Sequence, residues 1–299
     1  MGQKSRPQTH PSPLKGAAAA GRQAGPRLRY PPNPPSGVYW FLVEPAAERR
    51  PVRYLIISDI HSNLEAYQQC LRVAQGRYEE ALCLGDLVGY GPDPNLIVEA
   101  VRGLASVIIR GNHDKACAGL SDAKDFNSLA RMATLWTREQ LTPGNLAFLR
   151  DLAPGPARVN GVELVHGSPR DEDEYLVEAH DTPPAFEDSG APLVFFGHTH
   201  LQGGFMLHPG RTVKTIQCGG EEEGCTLTLD LEEGVRYLIN PGSIGQPRDR
   251  DWRAAFAVFD SERRRVEYYR TSYDFAATQD KMRKAGLPEP LIARLQFGR

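Results

Sequence analysis

Apolar and polar positions along this chain follow two different rhythms, and the change falls near Pro156. Before it, short apolar runs alternate with stretches of helical spacing. Residues 53–58 (RYLIIS) predict a strand buried on both faces. Ser62 and Glu65 then have the S-x-x-E spacing of a capping box, so a helix is expected from there to about Ala74, closing at Gly76. Residues 80–85 (EALCLG) predict a second buried strand. In PDPN (92–95), Asp93 is the expected N-cap and Pro94 the first helical residue. Residues 105–111 (ASVIIRG) predict a third strand. The order strand–helix–strand–helix–strand implies a parallel sheet with right-handed crossovers. Residues 121–150 read as helical and are expected to cap one end of that sheet. Beyond Pro156 the texture becomes short strands between Gly, Asn and Asp turns: ARVNGVELVHGS, APLVFFGHTH, VKTIQCG, CTLTLDL, VRYLINPGS, AAFAVFD and RRVEYYR. The chain ends in a helical stretch, DFAATQDKMRKAGLPEPLIARL.

Composition narrows the class. A chain of 299 residues with 40% apolar and 24% charged residues can bury a substantial core. A net charge of −2 argues against a dedicated nucleic-acid surface. No apolar run approaches membrane-spanning length, and GAAAAG near the N-terminus is too short for a signal peptide, so no membrane partner and a cytoplasmic location are expected. The five cysteines form no CxxC pair and read as free thiols. Residues 1–36 are rich in Pro, Gly, Ala and basic side chains without period, which predicts a disordered basic tail. Residues 37–45 (GVYWFLVEP) are too apolar for a tail and could add a strand.

What changes the picture is the residue that follows each apolar run. In open α/β sheets ligands bind just beyond the carboxyl ends of the strands. The first run ends in Asp59 and His61, the second (LGDLVGYG) in Asp86, and the third (IRGNHD) in Asn112, His113 and Asp114. Later runs give His166 (LVHGS), then His198 and His200 (FFGHTH). Taken singly, each has an ordinary reading as a cap, a turn residue or a surface hydrogen bonder. Together they would set several polar groups against a core at one rim of a sheet, which is costly unless a metal satisfies them. Carboxylate, amide oxygen and imidazole without sulfur suit Mn, Fe, Co, Ni or Zn, and the supply is too large for one ion. Two ions sharing a bridging carboxylate fit the count.

The motifs D-x-H (Asp59, His61), GD (Gly85, Asp86), GNHD (111–114), HG (His166) and GHTH (197–200), in that order, resemble the calcineurin-like metallophosphoesterases over residues 53 to about 270. GYGPDPN, WTRE, HGSPR and NPGSIGQPRD resemble, within that superfamily, the small phosphodiesterase branch typified by YfcE and MJ0936. The resemblance implies a four-layer α/β fold of two facing mixed β-sheets flanked by helices over residues 51–299, with 121–150 as a helical cap. It implies that Asp59, His61 and His200 hold one divalent metal ion and Asn112, His166 and His198 the other, with Asp86 bridging. It gives His113 the role of general acid, oriented by Asp114. A hydroxide generated between the two cations would attack phosphorus. The expected reaction is hydrolysis of small phosphodiesters, cyclic nucleotides among them, with manganese one candidate metal. The alternatives are a phosphomonoesterase or protein phosphatase of the same fold, and a non-catalytic scaffold.

Three further residues are substrate-binding candidates. Asn63 lies one turn from the ligands, Tyr90 follows Asp86, and Arg248 lies in NPGSIGQPRD. In that last stretch Asn240 and the glycine turn are expected to support the metal site from behind. SPRDEDEYL (168–176) reads as a solvated acidic loop, and Trp136 and Trp252 as packing residues.

Overall fold

Period-two alternation in the first strand decides the layering. The computed structural model describes residues 51–220 and 222–299, so the expectations for 1–36 and 37–45 lie outside the described residues. The elements in chain order are β1 (Arg53–Ile57), α1 (Leu64–Ala74), β2 (Glu80–Cys83), α2 (Pro94–Leu104), β3 (Val107–Ile108), α3 (Asn112–Cys117), α4 (Ser128–Gln140), α5 (Pro143–Asp151), β4 (Ala157–Val159) and β5 (Val162–Leu164). They continue with α6 (Pro183–Asp188), β6 (Leu193–Phe195), β7 (Gly203–Leu207), β8 (Lys214–Gln217), β9 (Gly224–Asp230), β10 (Arg236–Asn240), β11 (Ala254–Asp260), β12 (Arg265–Thr271), α7 (Phe275–Lys284) and α8 (Glu289–Ala293).

Two six-stranded mixed sheets result, with orders β3-β2-β1-β11-β12-β9 and β4-β5-β6-β10-β7-β8. From β1, Leu55 and Ile57 face one core with α1 and α2 residues such as Ala66, Cys70, Ile97 and Val101. Tyr54 and Ile56 face the other way, into a core shared with Leu164, Phe195, Tyr237 and Ile239 of the second sheet. The far face of the second sheet packs Val194, Phe196 and Leu238 against Ala185 and Phe186 of α6. Helix, sheet, sheet and helix form the four layers that the family resemblance implied.

Strands β1, β2 and β3 run parallel, and so do β5, β6 and β10. Each sheet thus directs three strand ends the same way. The polar residues expected at one rim of a single sheet come from both sheets.

Several local expectations are corrected. Helix α1 is capped by Asn63, whose side chain accepts from Ala66 N, rather than by Ser62. Helical structure in 121–150 begins at Ser128 and consists of α4 and α5, and α4 buries Ala130 and Ala133 against Met282, Leu287, Leu291 and Ile292 near the C-terminus. Strand β7 was not foreseen, because its Gly203-Gly204 start reads as a turn. The glycines are there because β7 lies between β10 and β8: a Cβ on Gly204 would stand 2.1 Å from Leu238 O. The five cysteines are free thiols, and no helix among the described residues is long and apolar enough to cross a membrane.

Candidate metal centre

The site begins where the strands stop hydrogen bonding as strands. Past Ile57 the chain still bonds its neighbour: Asp59 N donates to Gly85 O, and Ile60 N and His61 N both donate to Asp86 O. The backbone of these loops, and of the loop after β6, enters the left-handed region. Asp59, His61, Asp86, His198 and His200 all have φ between 49° and 66°. Such strain in non-glycine residues collects at functional sites, where surrounding structure over-determines it. Gly111 allows the loops to close up, since a Cβ there would lie 2.1 Å from Asp86 Oδ1.

Asp59, His61, Asp86 and His200 each offer a ligand atom within 4.8 Å of the others, and Asp86, His166 and His198 form a second such group. Asp86 Oδ2 is 3.5 Å from both His61 Nε2 and His166 Nε2, so it belongs to both. Asn112 Oδ1 lies 3.2 Å from His166 Nε2 and joins the second group. All seven residues are buried.

Hydrogen bonds fix which nitrogen each imidazole turns inward. His61 Nδ1 donates to Val88 O at 3.0 Å, His200 Nδ1 to Gln246 O and His166 Nδ1 to Leu84 O at 2.8 Å. Carbonyls only accept, so these Nδ1 atoms carry the protons. His61 Nε2 and His200 Nε2 then face each other across 3.1 Å. When both rings are neutral, two lone pairs meet. Asp86 Oδ2 and His198 Nε2, both buried, have no hydrogen-bond partner. An unsatisfied buried polar group costs about 1–3 kcal/mol. A cation in each group would satisfy these atoms together, and the donor set is one that divalent transition metals accept.

Electrostatics separates the two groups. Burial pushes His61 down to about 4 and His198 to about 3, and with nearby Arg248 it keeps His200 well below the usual imidazole range. Burial also raises Asp59 to about 7. His166 differs: burial would lower it, but the Asp86 carboxylate outweighs burial and raises it to about 10. Burial would raise Asp86, yet His166 and His113 hold it well below the usual carboxylate range.

His113 lies at the edge of the first group. Its main-chain N donates to Asp86 Oδ1 at 2.8 Å, and its ring packs against Tyr90, Phe126 and His61 at centroid distances of 4.4, 4.5 and 4.9 Å. The expected orienting bond from Asp114 is not made. Both Asp114 oxygens accept main-chain donors, Val88 N and Gly111 N, while His113 Nδ1 is buried without a partner. Aromatic packing orients His113, and Asp114 anchors the two loops around Asp86.

Of the substrate-binding candidates, Asn63 is corrected. Its amide is consumed inside the fold: Nδ2 donates to Gly245 O and Tyr273 Oη, and Oδ1 accepts from Ala66 N and Thr278 Oγ1. Tyr90 stands beside the centre, 4.8 Å from the His61 ring centroid. Arg248 lies near it, one of its guanidinium nitrogens donating to Tyr90 Oη at 3.4 Å. Asn240 supports the site as expected, its Nδ2 donating to Gly197 O and Thr199 Oγ1 and so holding the loop between β6 and β7. Ser243 Oγ and Gly245 N both donate to Asp59 O. The sequence reading missed Tyr175, whose half-exposed ring lies 3.9 Å from the His198 ring centroid at the mouth. An aromatic after an acidic run was its one signal.

Comparison with known proteins gives consistent results. The family model of the calcineurin-like phosphoesterases matches residues 52–202. The protein MJ0912 of Methanocaldococcus jannaschii is 35% identical over 258 residues, covering 82% of this chain and 97% of that one. The crystal structure of a metallophosphoesterase from Sphaerobacter thermophilus superposes with a TM-score of 0.72 at 40% identity, covering 84% of this chain and all of that one. The hypothetical protein PH1004 from Pyrococcus horikoshii OT3 shares the fold, with a TM-score of 0.66 at 21% identity over 83% of this chain and 98% of that one.

Proposed function

The chain belongs to the calcineurin-like phosphoesterase family, and on that premise we propose that it hydrolyses small phosphodiesters, cyclic nucleotides among them, with two divalent cations held by the seven residues above. The observation that carries this reading is the Asp86 carboxylate oxygen, buried, unpartnered and equidistant from imidazoles of both groups. Asp59, His61 and His200 would hold one ion, Asn112, His166 and His198 the other, and Asp86 both. When bound, the cations supply Lewis-acid stabilisation of charge on the phosphoryl oxygens. The chain's own part is to hold those ligands rigidly and to place His113, packed between aromatic rings, beside the leaving oxygen as the proton donor, where negative charge developing on that oxygen must offset the burial that keeps its imidazole well below the usual range.

The test is hydrolysis of bis-p-nitrophenyl phosphate against p-nitrophenyl phosphate, with Mn²⁺, Co²⁺, Ni²⁺ and Zn²⁺ in turn. Faster turnover of the diester is expected with at least one metal. A monoester preference would move the assignment to a phosphomonoesterase, and no metal-dependent turnover of either would leave a non-catalytic scaffold. His113→Ala should retain metal and lose rate most on esters with poor leaving groups. Equal losses on activated and unactivated esters would remove it from the proton-donor role.

A further inference from the structure

One acidic side chain joins the segments that carry the second ligand group. Glu172 lies in the acidic loop 168–176, which the sequence reads as solvated, yet its side chain is only 11% exposed. Arg110 grips it with two nitrogens: Nη2 donates to Oε1 at 2.8 Å and Nε to Oε2 at 3.2 Å. Lys115 Nζ meets the same Oε1 at 2.8 Å and Asp173 Oδ2 at 2.9 Å. Exposed ion pairs contribute little. A forked guanidinium–carboxylate contact that is largely out of water and shared with a second cation holds its geometry far better.

The places of these partners give the contact its meaning. Arg110 and Lys115 bracket residues 111–114, so one carboxylate grips both ends of the turn that presents Asn112 and His113. On its own loop, Glu172 sits between His166 and Tyr175. Two residues past His166, Ser168 N donates to Asp171 O at 2.8 Å, and Asp171 N donates back to Ser168 Oγ at 3.2 Å. Three residues past Glu172, the Tyr175 ring lies against His198. Gly197 N donates to His166 O at 2.8 Å, which ties the loop of His198 to the same segment. The first group is braced elsewhere: Asp59 by Ser243 and Gly245, His61 by Val88, and His200 by Gln246.

We propose that Glu172 is a positioning residue for the second cation. It locks the Asn112 turn onto the segment from His166 to Tyr175 and so sets the spacing of Asn112, His166 and His198. It acts through Arg110 and Lys115 and coordinates no ion itself. The inference rests on the two-cation reading of the site.

Mn²⁺ titrated calorimetrically into full-length protein stripped with EDTA is the first test. The wild type should take up two equivalents. Glu172→Ala should weaken at least tenfold the equivalent that His198→Ala removes, and leave the other within about twofold. Glu172→Gln, which keeps the shape and one acceptor, should fall between the two, and it serves if Glu172→Ala does not fold. Arg110→Ala should reproduce the loss. Combined with Glu172→Ala it should add little, because the two changes break one contact. Equal weakening of both equivalents, an unchanged second equivalent in both Glu172 variants, or full additivity with Arg110→Ala overturns the proposal. Amide hydrogen exchange on metal-free protein reads the same lock without an ion. Glu172→Gln should speed exchange across 111–117 and 166–175 and leave α1 as in the wild type. Should the wild type bind one ion while this exchange difference persists, the lock between the segments stands and the two-cation reading fails. Exchange that ignores Glu172 rejects the lock.

Discussion

The two ligand groups share a carboxylate and imidazoles anchored on main-chain carbonyls, but differ in which ligand holds a proton. The Asp59–His61–His200 group is closed: its imidazoles are kept neutral by burial, their Nδ1 protons are fixed on main-chain carbonyls, and Tyr90 covers one side. The His166–His198–Asn112 group is more open, with half-exposed Tyr175 lying on His198, and its His166 holds a proton against Asp86. A cation must displace a proton from a carboxyl, Asp59, in the first group and from an imidazole, His166, in the second. Burial by itself does not prepare a metal site, because the charge of the shared ligand decides which imidazole stays protonated.

The most severe way to break this comparison is to remove what the groups share. Asp86→Ala should abolish binding of both ions by elemental analysis and lower kcat/KM at least a thousandfold, about 4 kcal/mol of transition-state stabilisation. Retention of one full equivalent would show that the two groups are independent. Next, His200→Ala and His198→Ala should each cost one equivalent, from the first and second group respectively. Loss of both from either variant would mean that the groups form a single cooperative site.

Titration sharpens the contrast. A cation competes with the proton on each ligand, so affinity rises with pH up to that ligand's pKa and is flat above it. Asp59, near 7, makes the first group's affinity fall by up to about tenfold per pH unit below 7. His166, near 10, makes the second group's affinity climb through the range from 7 to 9. Metal titrations at pH 6, 7, 8 and 9 should show one ion levelling off above pH 7 while the other keeps tightening, with proton release measured alongside. Two parallel curves would refute the distinction. The smallest effect expected is from Asn240→Ala, which frees the loop carrying His198 and His200 without touching a ligand. It should weaken metal binding by roughly 10–100-fold, measured by competition with a chelating dye.

Much of the site was legible in the sequence because each ligand follows an apolar strand run directly, and a strand end has a predictable direction. Asp59, Asp86, His166 and His198 were locatable for that reason. What was not legible depends on contacts between distant segments. The role expected of Asp114 failed because its partners, Val88 and Gly111, are brought to it by loop closure. Asn63 looked like a phosphate ligand until Gly245, Tyr273 and Thr278 arrived from the far end of the chain. Strand β7 was hidden because Gly203 and Gly204 are demanded by neighbouring strands rather than by local propensity. Glu172 sits in an acidic run that reads as solvated, and only packing brings Arg110 and Lys115 to it.

The turn at 240–246 has a consequence for how the protein is made. All seven candidate ligands lie between residues 59 and 200, but the groups that hold Asp59 and His200 in place come from Asn240, Ser243, Gly245 and Gln246. On the ribosome, every ligand therefore emerges before the brace that aligns it. A chain halted shortly after His200 would own all seven candidate donors without the residues that hold Asp59 and His200 in place.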